Sequence, residues 1–152
     1  MQPITNNMQK YSNYKEQMGR LNRAIKECFY LEALFIEYAI IEDRTESMLR
    51  HTGIDTEKQK YASLYGKIKK LADMAREKKG LLRKYFTMEI WEDILSWKEL
   101  RNQLIHALMK QSFHSPDLEK IVMDGLALVK VLNNKSSLYN RAVDKANQKA
   151  EI

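Results

Sequence analysis

Glycine and proline are scarce in this chain, with 5 and 2 residues among 152. Average usage is about 7% and 5%. Sheet proteins with many tight turns need more of both, so the scarcity points to long helices joined by few loops. There is one cysteine, Cys28, which excludes an internal disulfide and a cysteine-based zinc cluster. Its setting in an apolar run, Cys28-Phe29-Tyr30-Leu31, reads as a small core hydrophobe. Long hydrophobic segments are also missing. The most apolar one, Cys28 to Ile41, is short for a membrane span and carries Glu32 and Glu37. The first residues, Met1-Gln2-Pro3-Ile4-Thr5, have neither a basic start nor an apolar stretch of signal-peptide length. A reduced, cytoplasmic protein without membrane attachment is the expectation.

What is present suits one domain spanning 1–152: 44% hydrophobic and 30% charged residues, at a length that can bury about two-thirds of its unfolded surface. Residues 1–12 and 135–152 are polar and expected to be peripheral or less ordered. Net charge is +6, and the segment from Lys67 to Lys84 holds that whole excess. Its basic residues are Lys67, Lys69, Lys70, Arg76, Lys78, Lys79, Arg83 and Lys84, against Asp73 and Glu77. Such a cluster can track phosphates by displacing their counterions. It can equally be a solvated helix face.

Helical periodicity runs from Met18 through Leu21, Ile25, Cys28, Leu31, Phe35, Tyr38 and Ile41, predicting one helix to Arg50-His51 with Gly53 as its stop. A second helix is expected from Asp55 or Thr56 through Tyr61, Leu64, Ile68, Leu71 and Ala75 to Gly80. Leu81 to Phe86 reads as a connector. Thr87 can cap a third helix reaching about Gln111, with Glu89 in its first turn. Ser115-Pro116-Asp117 restarts the chain as a last helix, which a second cap signal at Asn133-Asn134 is expected to break. No strand-period alternation, repeat or glycine-rich phosphate loop is found. The predicted fold is an all-α bundle of four to five helices.

The motifs of metal, nucleotide and serine-hydrolase chemistry are absent. One anomaly remains, on the third helix. Its apolar stripe reads Ile90, Ile94, Trp97, then Arg101, then Leu104 and Leu108. The neighbouring stripe runs from Trp91 and Leu95 past Lys98 and Asn102 to Ile105 and Met109, and His106 lies one turn after Asn102. A buried arginine is costly without an anion, and a phosphate arriving from outside would satisfy it. The alternative is an arginine paired with an acidic neighbour and a core histidine with satisfied nitrogens.

The run Arg101-Asn102-Gln103-Leu104-Ile105-His106 resembles the signature of the HEPN superfamily (higher eukaryotes and prokaryotes nucleotide-binding domain). That motif is an Arg, a polar residue that is commonly Asn, three or more further residues, and a His. A second permissive match, Arg44 to His51, has Thr45 after the Arg and ends at a helix terminus, so it is set aside as chance. The resemblance implies an all-α bundle in which two motif helices meet across a two-fold interface. It also implies a metal-independent ribonuclease, without cofactor, in a toxin–antitoxin or phage-defence setting. Under it Arg101, Asn102 and His106 are the catalytic residues, and RNA, a second copy of the chain and a cognate antitoxin or regulatory RNA are the partners. Lys67, Lys69, Lys70, Lys78, Lys79, Arg83 and Lys84 are the expected RNA-binding residues.

The chemistry suits these residue types. RNA is cleaved when its 2′-OH attacks the adjacent phosphate, which asks for a proton shuttle and a charge clamp. Histidine supplies the first near neutral pH, and arginine the second, gripping phosphate oxygens in pairs. Positions 101 and 106 lie about 140° apart on an ideal helix, so one copy makes a poor cup. Glu37, Glu42 and Asp43 on the first helix are candidates to face Arg101, or else solvated. A non-catalytic helical module, RNA-binding or antitoxin-like, is the competing reading.

Overall fold

The computed structural model describes residues 7–77, 80–110 and 115–151. Six α-helices account for nearly all of them, and no strand occurs among the described residues. They are α1 (Asn7–Lys26), α2 (Tyr30–His51), α3 (Leu64–Glu77), α4 (Leu81–Tyr85), α5 (Met88–Met109) and α6 (Ser115–Ala150), with a single 3₁₀ turn at Gln59–Tyr61. The all-α prediction holds. The helix number exceeds it, for two local reasons.

First, the long helix expected from Met18 to Arg50 is two helices. Phe29 N–H bonds to Ala24 O at 2.8 Å and Cys28 N–H to Ile25 O at 3.1 Å. That pair of bonds is a Schellman ending with Cys28 as the left-handed residue, at φ 61°. Cys28 is therefore exposed at a corner, not a core hydrophobe. Second, Leu81 to Tyr85 is a helical turn (α4) that drops Leu82 into the core.

Other boundaries also shift. Helix α1 begins at Asn7, so the polar lead-in is helical further back than the pattern indicated. Helix α3 starts at Leu64 rather than Asp55, behind the 3₁₀ turn. Gly53 takes the expected left-handed stop at φ 92°, with Ile54 N–H reaching Leu49 O at 3.2 Å. Helix α6 is not broken at Asn133-Asn134. It runs 36 residues, held through that point by contacts to the rest of the chain. Asn140 donates to Ser47 Oγ at 2.9 Å, and the buried Tyr139 ring packs 6.4 Å from Tyr85.

The core is organised around α2 and α6, which pack together; α1 and α3 cover α2, while α4 and α5 lie on α6. Leu34, Ile41 and Leu49 of α2 are fully or almost fully buried, as are Val122, Val129 and Leu132 of α6. Each such side chain contributes about 1.5–3 kcal/mol. Helix α3 adds Leu64, Ile68 and Leu71 at a spacing of four and three. That packing fixes α5, whose inner stripe, Ile90, Ile94, Trp97 and Leu104, is buried as its periodicity predicts.

Candidate functional site

Helix α5 begins where its sequence says it should. Thr87 is extended, at φ −78° and ψ 159°, and its hydroxyl oxygen accepts from Ile90 N–H at 3.3 Å. Three turns along the buried stripe, Arg101 keeps only 8% of its surface exposed. Its guanidinium lies over the Tyr38 ring of α2, 4.3 Å from the centroid, and 5.7 Å from that of Phe35. Nη1 donates to Asn102 Oδ1 at 3.3 Å, and Nε is buried without a partner among the described residues. No carboxylate pairs with it among those residues. Burial lowers its pKa, a shift the nearby Tyr38 partly opposes. The burial in turn raises the Tyr38 hydroxyl, helped by Glu42 and opposed by Arg101.

Arg101 is thus a buried cation held by aromatic faces and one neutral amide. Cation–π contacts stabilise by about 0.5–2 kcal/mol, less than the desolvation of a full charge. An anion approaching past Phe35, which is 65% exposed, would complete the site.

The structure brings Arg101 and Asn102 together. His106 stands apart: it is exposed, and no hydrogen bond or ion pair joins it to either residue among those described. His106 therefore does not satisfy the expectation that it interrupts a buried face.

The acidic candidates all find other surroundings. Glu42 pairs with Lys67 at 3.3 Å. Asp43 pairs with its neighbour Arg44. Glu37 is completely buried, with both carboxylate oxygens unpartnered among the described residues. It lies against Gly125 of α6 and the Trp97 indole, since a Cβ on Gly125 would fall 2.7 Å from Glu37 Cδ and 2.8 Å from Trp97 Nε1. The indole N–H is already committed to Ile121 O at 2.9 Å. Burial, and then the negative charge of Asp124, push the Glu37 pKa up to about 9. Glu37 is a neutral acid at pH 7.

The basic segment divides. Lys67 is only 4% exposed and tied to Glu42, so it leaves the set of RNA-binding candidates: its ammonium holds α3 to α2 instead. Lys69, Arg76, Arg83 and Lys84 are exposed and Lys70 is half-buried. Lys78 and Lys79 lie outside the described residues, as does His114. Trp97 is core, as its stripe predicted, while Trp91 is half-buried.

Sequence reasoning missed Tyr38 and Phe35 as the surroundings of Arg101. The signal was there: both fall on the same stretch of α2, three residues apart. Among the described residues no group of three His, Cys, Asp or Glu side chains is placed to hold a metal ion, and no helix is long and apolar enough to cross a membrane. No family model, curated protein or solved structure matches the chain.

Proposed function

We propose that the chain is a metal-independent endoribonuclease of HEPN type, cutting RNA at a composite site formed by two copies. The observation that carries this reading is Arg101, a buried cation without a carboxylate partner among the described residues, at the position the motif requires. An RNA phosphate is the missing anion. In this scheme Arg101 grips the phosphate oxygens and stabilises the charge of the pentacoordinate state. Asn102 orients the guanidinium through its amide oxygen. His106 of one copy moves the proton between the 2′-OH and the leaving oxygen.

The second copy is needed because Arg101 points into α2 while His106 faces solvent five residues on. The surface around Arg101 suits such an interface. Leu31 and Phe35 of α2 and Leu100 of α5 are 43%, 65% and 48% exposed, and a two-fold axis would cover the same patch twice. Exposed Lys69, Arg83 and Lys84, with Lys70, Lys78 and Lys79 in the same segment, would hold the rest of the RNA, in a toxin or phage-defence role in the cytoplasm with an antitoxin or regulatory RNA as further partner.

The separation of His106 from Arg101 within one chain also favours a second reading, a non-catalytic RNA-binding or antitoxin-like module. One experiment divides them. Wild type, His106→Ala and Arg101→Ala are incubated with a mixed RNA pool in EDTA. Cleavage by wild type alone supports the ribonuclease. Equal cleavage by all three, or none by wild type, overturns it, and salt-sensitive binding without cleavage supports the module.

A further inference from the structure

A second site lies away from Arg101, where α3, α4 and the start of α5 meet around a cleft of about 230 Å³. Its floor is apolar: Ala72, Ala75 and the almost fully buried Phe86. Two arginines stand over that floor, Arg76 from α3 and Arg83 from α4. Trp91 closes one side, and its indole Nε1 is buried with no acceptor among the described residues.

These features belong to one kind of ligand. Arg76 lies over the Trp91 ring, 5.4 Å from its centroid, and is shared with Asp73 at 3.0 Å. Its charge is largely answered. Arg83 makes no ion pair among the described residues, so the cleft carries about one uncompensated positive charge. The donors that remain on its exposed surface are the Arg83 guanidinium and the hydroxyl proton of Thr87, whose oxygen already accepts from Ile90 N–H; the Trp91 N–H is sealed from the cleft. Water serves both donors in the free protein and a carboxylate would replace it, while the apolar floor suits a flat hydrophobic body. Drug-sized ligands occupy clefts of about 300–1,000 Å³, so this one fits one or two fused rings. Met88, at the mouth and 56% exposed, is an unbranched, adaptable wall for such a ring.

We propose that this cleft binds a small aromatic carboxylate, with the ring on Phe86 and Trp91 and the carboxylate on Arg83 and Thr87. One net positive charge matches a monoanion better than a phosphate dianion. The site does not depend on the Arg101–His106 motif, to which none of its residues belongs, although it shares Arg83 with the residues proposed to hold RNA.

Isothermal titration of the purified protein with 2-naphthoate is the test, set beside neutral 2-acetylnaphthalene and 2-naphthyl phosphate. The expected result is saturable naphthoate binding below about 1 mM, with both comparison compounds at least about tenfold weaker. Arg83→Ala should weaken naphthoate about tenfold or more, and Trp91→Ala severalfold, while His106→Ala binds as wild type does. Arg83 is exposed, so its removal leaves the fold intact even if the Trp91 variant does not fold. Absence of binding, equal affinity for the neutral compound, or tighter binding of the phosphate would each overturn the proposal. Displacement of naphthoate by a short single-stranded RNA at lower concentration would overturn it too, and would make the cleft a nucleic-acid contact.

Discussion

Arg101 and Tyr38 meet face on, the guanidinium 4.3 Å from the ring centroid, with no carboxylate beside them among the described residues. A buried cation in that state is held against its own desolvation. Replacing buried charges by apolar groups of similar volume is often neutral or stabilising, whereas removing one member of a buried ion pair costs about 3–5 kcal/mol. Since Arg101 has no acid to abandon, Arg101→Met should leave stability unchanged or raise it by about 1 kcal/mol or more. Thermal or urea unfolding checks this, at about 2–4 °C per kcal/mol for a chain of this size. A loss above about 2 kcal/mol would mean that Arg101 is a structural strut, and the anion-site reading would go with it.

Glu37 gives the protein an unusual pH dependence. Its folded-state pKa, about 9, lies above the ordinary value of 4.5, so the folded chain binds this proton more tightly than the unfolded one. Its contribution is therefore fully present below about pH 4.5 and is lost as pH rises towards 9, at up to about 1.4 kcal/mol per pH unit. Glu37→Gln, which keeps the shape of the protonated acid, should remove that slope and leave the variant more stable than wild type at pH 8–9. Urea unfolding at pH 5, 7 and 9 for both proteins measures it. Parallel pH profiles would mean that Glu37 stays charged in the fold, with a partner that compensates it.

How much of this was legible in the sequence depended on how local the cause was. Helix α5 could be read because Thr87, Glu89 and the stripe Ile90–Ile94–Trp97 act within a few residues of one another, and the polar break at Arg101 stood out against that stripe. The Gly53 stop was legible because glycine alone adopts that backbone freely. The corner at Cys28 was not, since the same geometry there is imposed on a residue that disfavours it, inside an unbroken apolar period. Nor was the continuity of α6. Asn133-Asn134 is a sound local stop signal, outweighed by Asn140 on Ser47 and Tyr139 beside Tyr85, contacts made to other helices. Glu37 had two readings from its sequence alone. Neither holds, because Gly125, far along the chain, lacks a side chain and so makes room for the carboxyl against the Trp97 indole.

The corner between α1 and α2 offers the last prediction. Cys28 holds φ 61°, a left-handed conformation that costs an ordinary L-residue about 1–2 kcal/mol. Glycine is the usual occupant of this position in a Schellman ending because it lacks the Cβ that clashes. Glycine also has more freedom to lose from the unfolded chain, an opposing cost of about 0.5–1 kcal/mol. The balance favours Cys28→Gly by about 0.5–1 kcal/mol. Cys28→Ser separates this backbone effect from loss of the thiol, which lies 3.5 Å from the Tyr30 hydroxyl, and should stay close to wild type. Cys28→Val, with a β-branched side chain in the same conformation, should lose stability. Urea midpoints at constant slope report all three. A lower midpoint for Cys28→Gly than for Cys28→Ser would show that the corner is held by its side chain rather than strained by it.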